Sequence, residues 1–128
     1  MKFPITILMV FLFSYVSRAD DSKLRELEVR LASAQSQQDM NIASGEIAHY
    51  LDKQLSEKEA EIAKSLDAPG LQLFSEASKL FRAYRAAQVS FEGDRYRGGS
   101  ICPLMRNEMF SRITRERLSA LSVSFETK

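Results

Sequence analysis

Apolar side chains in this chain recur three and four positions apart almost throughout, and that spacing belongs to a helix face rather than a strand. Leu24, Leu27 and Leu31 open the series inside a charged segment. Met40, Ala43, Ile47, Tyr50, Leu51, Leu55 and Ile62 continue it, backed by the charged, helix-favouring run SEKEAEIAK. A third set reads Leu73, Ala77, Leu80, Phe81, Tyr84 and Phe91, and a fourth Met109, Ile113, Leu118 and Leu121. Alternating β-branched runs and Asn-Gly hairpin turns are both missing. Such stripes must bury against one another. The expected fold class is therefore all-α, a small helical bundle of three long helices plus a shorter N-terminal helix.

Breaks between the stripes are few. Ser36 with Asp39 three residues on forms a capping pattern ahead of the second stripe. DAPG, residues 67–70, is the strongest interior break, because Pro69 and Gly70 together favour a turn. Gly93 and Gly98-Gly99 bracket a polar loop, and Pro103 suits the first turn of the fourth helix, where its missing N–H costs nothing.

The N-terminus has a different character. A positive start, Met1-Lys2, is followed by the apolar run FPITILMVFLFSYV and then Ser17-Arg18-Ala19. That order of charge, apolar core and small residues is the pattern of a secretory signal peptide, residues 1–19, cleaved after Ala19. The apolar run is 14 residues long, short of the ~20 a membrane-crossing helix needs, and Asp20-Asp21 follow at once. No cysteine near the cleavage point offers a lipid attachment site. The expected mature protein is a single domain, residues 20–128, periplasmic or secreted, with no stable membrane anchor after cleavage.

Charge separates the mature chain into two halves. Residues 20–78 hold six Lys/Arg against twelve Asp/Glu, whereas residues 79–117 hold nine against four, eight of the nine being arginine. The near-zero total argues against nucleic acid, which wants a strongly basic face. Either the halves are antiparallel helices whose charges complement each other, or the basic half faces an anionic partner.

Catalytic patterns are missing. The single histidine, His49, sits beside Tyr50 in a helical run, and no HExxH, zinc-spaced Cys/His cluster or phosphate loop occurs. Glu57 and Glu61, four apart, suit a solvated helix face better than a metal. The reading is a non-enzyme with no cofactor and no metal.

FSEASKLFRAYRAAQVSFE, residues 74–92, followed by GGSICPLMRNEMFSRITRERLSAL, residues 98–121, resembles the LprI-like lysozyme-inhibitor domain family of bacterial exported proteins. The matching positions are Ala77, Phe81 in place of a tryptophan, Tyr84, Arg85, Ala87, Gly98, Gly99, Ser100, Ile113, Thr114 and Arg117, with Met40-Asn41 as an upstream mark. The likeness spans residues 36–121. It departs where the family carries cysteines, since Ala43, Val89 and Met109 stand there, and where Ala86 replaces an aspartate. If Val89 and Met109 replace the two ends of a bridge between helices three and four, an apolar contact stands in for it.

The resemblance implies a helical, non-enzymatic envelope protein whose partner is a protein, a lysozyme or another wall hydrolase. Its rivals are an immunity or accessory protein for another toxin or envelope protein, and a structural or stress-related helical module. It also implies that Met40, Asn41, Tyr84, Arg85, Gly98, Gly99, Thr114 and Arg117 are structural, the arginines pairing with acids of the second helix and Tyr84 packing its ring. The loop carrying Arg95, Tyr96, Arg97 and Ser100 is the expected partner-binding element, because Tyr and Arg are common interface anchors. Cys102, the only cysteine, matches no family cysteine. It is left with three fates: an inert half-buried residue, an intermolecular disulfide or a reactive thiol.

Overall fold

The computed structural model of the chain describes residues 22–126; residues 1–19, read as the cleaved leader, lie outside them. Helix α1 covers residues 22–32. It is followed by α2 (Gln37–Lys64), α3 (Ala68–Gly93), a 3-10 turn (Asp94–Tyr96) and α4 (Cys102–Glu126). The described residues contain no strand, and among them no helix is long and apolar enough to cross a membrane. The bundle is all-α, one short helix and three long ones.

Local chemistry sets the helix ends. Ser36 is in extended conformation, and its side chain accepts the Asp39 N–H at 3.0 Å, satisfying one of the unpaired donors of the first turn of α2. Asp67 does the same for α3, its Oδ1 accepting the Gly70 N–H at 2.9 Å. The expected turn at Pro69-Gly70 therefore falls earlier. The chain reverses over residues 65–67, and Pro69 and Gly70 already lie in the first turn of α3, a place where proline needs no donor.

Helix α4 packs along both α2 and α3, whereas α2 and α3 touch over a much shorter length. One apolar cluster joins Leu27 of α1 to Ile47 and Leu51 of α2. A second joins Leu55 and Ile62 to Leu121 of α4, with Phe74 and Phe81 of α3 packed against it, and Leu118 touches both clusters. Small buried side chains, Ala43, Ser44 and Ala48 on α2 and Ser111 and Thr114 on α4, let these helices lie close.

The third stripe is displaced. Leu73, Leu80, Tyr84 and Phe91 are 74%, 59%, 57% and 68% exposed, and Ala77 and Ala87 lie open beside them. The face of α3 turned to the bundle carries Ser78 and Arg85, both buried, with Phe74 and Phe81 half-buried. A hydrophobic pattern alone selects the wrong side because the inward face is partly polar. Tyr84 accordingly does not pack its ring into the bundle.

The two charged halves meet within the molecule. Arg82 reaches Glu59 at 2.8 Å, Arg85 reaches Asp52 at 2.8 Å, and Arg115 reaches Glu28 at 2.7 Å. Each joins an arginine of the basic half to an acid of the acidic half, as complementary antiparallel helices should. The exposed pairs contribute little individually, ~0–1 kcal/mol. Val89 and Met109 are both half-buried.

Leu55 is fully buried, so Leu55→Ala is expected to cost about 2–5 kcal/mol in urea unfolding, through lost transfer energy and a residual cavity. Val29→Ala, on the open side of α1, should stay within about 0.5 kcal/mol of the parent.

Candidate functional site

The expected partner-binding segment connects α3 to α4 through three successive tight turns. Arg97 N–H donates to Asp94 O, Gly99 N–H to Tyr96 O and Cys102 N–H to Gly99 O, at 3.1, 3.0 and 3.1 Å. Gly98 takes φ +79°, the left-handed region that side-chain-bearing residues rarely enter. At the exit of α3, Gly93 leaves room for α4: a Cβ there would stand 2.7 Å from Arg106 Cγ, and that exposed side chain would have to turn aside.

Side chains fix this loop to the bundle. Asn41 Nδ2, near the start of α2, donates to the Ser100 carbonyl at 3.1 Å, and its Oδ1 accepts from Gln37. Asn107 of α4 donates to Asn41 O at 3.3 Å and to Ser44 Oγ at 3.0 Å. The Cys102 thiol is half-buried and directed at the Gly93 carbonyl at 3.6 Å, so it closes the far side of the loop. Arg97 pairs with Asp94 through both Nε and Nη2. What the loop presents outward is Arg95 and Arg97, with Tyr96 half-buried between them and Ser100 exposed.

Behind the loop lies a polar core. Arg85, 6% exposed, donates from Nη1 to Thr114 Oγ1 at 2.9 Å and forms an ion pair with Asp52 Oδ1 at 2.8 Å, although that buried oxygen accepts no hydrogen bond among the described residues. Its guanidinium lies over the Phe110 ring, 3.8 Å from the centroid, and 5.5 Å from that of Phe81. Thr114, fully buried, donates its own hydroxyl proton to the Phe110 carbonyl at 2.7 Å. Arg117 Cζ sits 5.4 Å from the Phe81 centroid, and its buried Nε has no hydrogen-bond partner among the described residues. Arg85 thus pairs with an acid of the second helix, whereas Arg117 stacks on an aromatic ring.

The residues singled out in the sequence therefore fall into two groups. Asn41, Gly98, Gly99 and Ser100 belong to the anchored loop, and Arg85, Thr114 and Arg117 to the polar core. Tyr84 joins neither, and Met40 is half-buried at the start of α2. Asp52, Phe110, Ser44 and Asn107 complete these networks and were not singled out. Phe110, Thr114, Arg117 and Leu121 do share helical spacing, which marks one face of α4; nothing in the sequence separates Asp52 from its neighbouring acids.

No group of three or more His, Cys, Asp or Glu side chains that could hold a metal ion occurs among the described residues. His49 is exposed at an open groove between α1 and α2. Glu57 and Glu61 are exposed and pair with Lys53 and Lys58. The arrangement as a whole is a loop tipped by arginines and held on a polar clamp.

A family model described as lysozyme inhibitor LprI matches residues 30–121. No curated protein and no solved structure matches.

Removing the Arg85 side chain leaves Thr114 and two aromatic rings without their partner, so Arg85→Ala is expected to cost about 3–5 kcal/mol. Arg85→Lys should recover little of it, because an ammonium lacks the planar fork that stacks and bonds at once. Asp52→Asn keeps an acceptor but removes the counter-charge of an arginine side chain only 7% exposed, so it should cost about 2–3 kcal/mol. Gly98→Ala meets no atom within 4 Å and should cost about 1–2 kcal/mol from the backbone alone. Urea unfolding of the four variants measures all of these.

Proposed function

The chain belongs to the lysozyme inhibitor LprI family, and from that premise we propose that it binds and inhibits lysozyme-type peptidoglycan hydrolases outside the cytoplasm, with no catalysis of its own. The observation that carries this reading is the reach of the family match: residues 30–121 include all of α2, α3 and the loop to α4. The N-terminal pattern of a cleaved leader supports export.

Glycosidases of this kind work through two carboxylates in a cleft. An inhibitor that occupies the cleft needs a cation held on a rigid support, so that little entropy is lost on binding. Arg95 meets that description. It is exposed on a loop pinned by Asn41 and Gly98, and its guanidinium matches carboxylate geometry. Arg97 is exposed as well, and its surface pair with Asp94 gives way to a partner carboxylate at a cost of only ~0–1 kcal/mol, so it stands second to Arg95. Tyr96 offers a ring edge to a sugar subsite, and the acidic half of the mature chain supplies long-range attraction to a basic hydrolase.

Purified residues 20–128 are expected to slow the clearing of a peptidoglycan suspension by lysozyme. Arg95→Ala should raise the half-inhibitory concentration about tenfold or more, the equivalent of ~1.4 kcal/mol, and Arg97→Ala should raise it less. No slowing in large molar excess would remove the reading, and recovery of an unrelated periplasmic partner by co-purification would favour an immunity or accessory role.

A further inference from the structure

The open face of α3 is unlike the rest of the surface. Leu73, Ala77, Leu80, Tyr84, Ala87 and Phe91 alternate four and three apart, the seam spacing of a two-helix coiled coil. All six are exposed. We propose that this face is a dimer interface, covered by α3 of a second copy running antiparallel.

Two properties of the seam point to that occupant. The first is self-complementarity in size. An antiparallel pairing centred near Arg82 sets Leu73 against Phe91, Ala77 against Ala87 and Leu80 against Tyr84. Large meets large and small meets small in every layer, and the same patch serves both copies, as a two-fold interface requires.

The second is charge. Residues 67–78 hold two acids, Asp67 and Glu76, and no base, whereas the stretch that mirrors them, residues 86–97, is neutral, its Glu92 and Asp94 balanced by the exposed Arg95 and Arg97. The antiparallel arrangement brings Asp67 of one copy beside the Arg95–Arg97 segment of the other. A parallel one would set the acidic ends together and the arginines together. The position flanking the seam near its centre is Ala83, which introduces no like-charge contact there.

The area limits how strong the association can be. From Leu73 to Phe91 the seam is about 27 Å long. At the ~10 Å breadth of a packed helix, its footprint is roughly 270 Å² per copy. That is small beside the ~1,200 Å² at which specific interfaces begin. The expected association is a reversible dimer rather than an obligate one.

Sedimentation equilibrium of residues 20–128 over a wide concentration range tests this, together with a disulfide experiment. The parent should show a monomer–dimer equilibrium. Leu80→Glu should remain monomeric at the same concentrations with an unchanged helical circular-dichroism spectrum, because Leu80 takes no part in the monomer's core. On a Cys102→Ser background, Ala77→Cys and Ala87→Cys proteins should form a disulfide with each other on mixing, and neither should do so alone. A monomer at every concentration, a dimer indifferent to Leu80→Glu, or disulfides within either single variant would each overturn the proposal. So would a monomer whose α3 face engages only an added wall hydrolase, with Leu80→Glu abolishing that complex.

Discussion

Arg85 is where the bundle is joined. A guanidinium inside a small helical protein is costly unless its charge and its donors are all met. Here one nitrogen donates to Thr114 of α4 and faces Asp52 of α2 as its ion-pair partner, and the flat group lies on Phe110. The residue itself belongs to α3, so a single side chain ties three helices together. The need for such a tie follows from the packing: α3 meets α2 over a short length and buries little apolar surface of its own. Phe74, Phe81 and the Arg82–Glu59 pair add to the attachment, but Arg85 is the group that cannot be left half-satisfied.

The loop depends on that junction. Its two ends are the C-terminus of α3 and the N-terminus of α4, whose relative placement Arg85, Thr114 and the close approach of Gly93 to Arg106 fix. Asn41 and Asn107 then bring in the start of α2. The loop is consequently held from three helices, which is what permits a short polar segment to present an arginine in a defined place. Whatever contact the loop makes, its ordering cost is met in folding rather than in binding.

Much of the fold is readable in the sequence and some of the site is not, for definite reasons. The α2 stripe, the Ser36 cap and the Pro103 start of α4 follow from short-range rules, and the structure has all three. The α3 stripe misleads by about one position along the helix, since its inward face spends two places on Ser78 and Arg85 and its outward face is the more apolar. Asn107 and Thr114 find their partners 66 and 29 residues away along the chain, a distance at which periodicity says nothing. Resemblance to a family drew attention to Arg85, Thr114 and Arg117, and only the folded chain shows why Asp52 and Phe110 belong with them.

If Arg85 is the junction, α3 should be as firmly held as α2 despite its exposed apolar face. Native-state hydrogen exchange measures that directly. The amides of residues 81–88 in α3 should exchange only through global unfolding, with the same opening free energy as residues 47–55 of α2. Exchange of residues 81–88 through a sub-global opening, well below that of α2, would mean that α3 is a loosely attached helix and that Arg85 does not hold it.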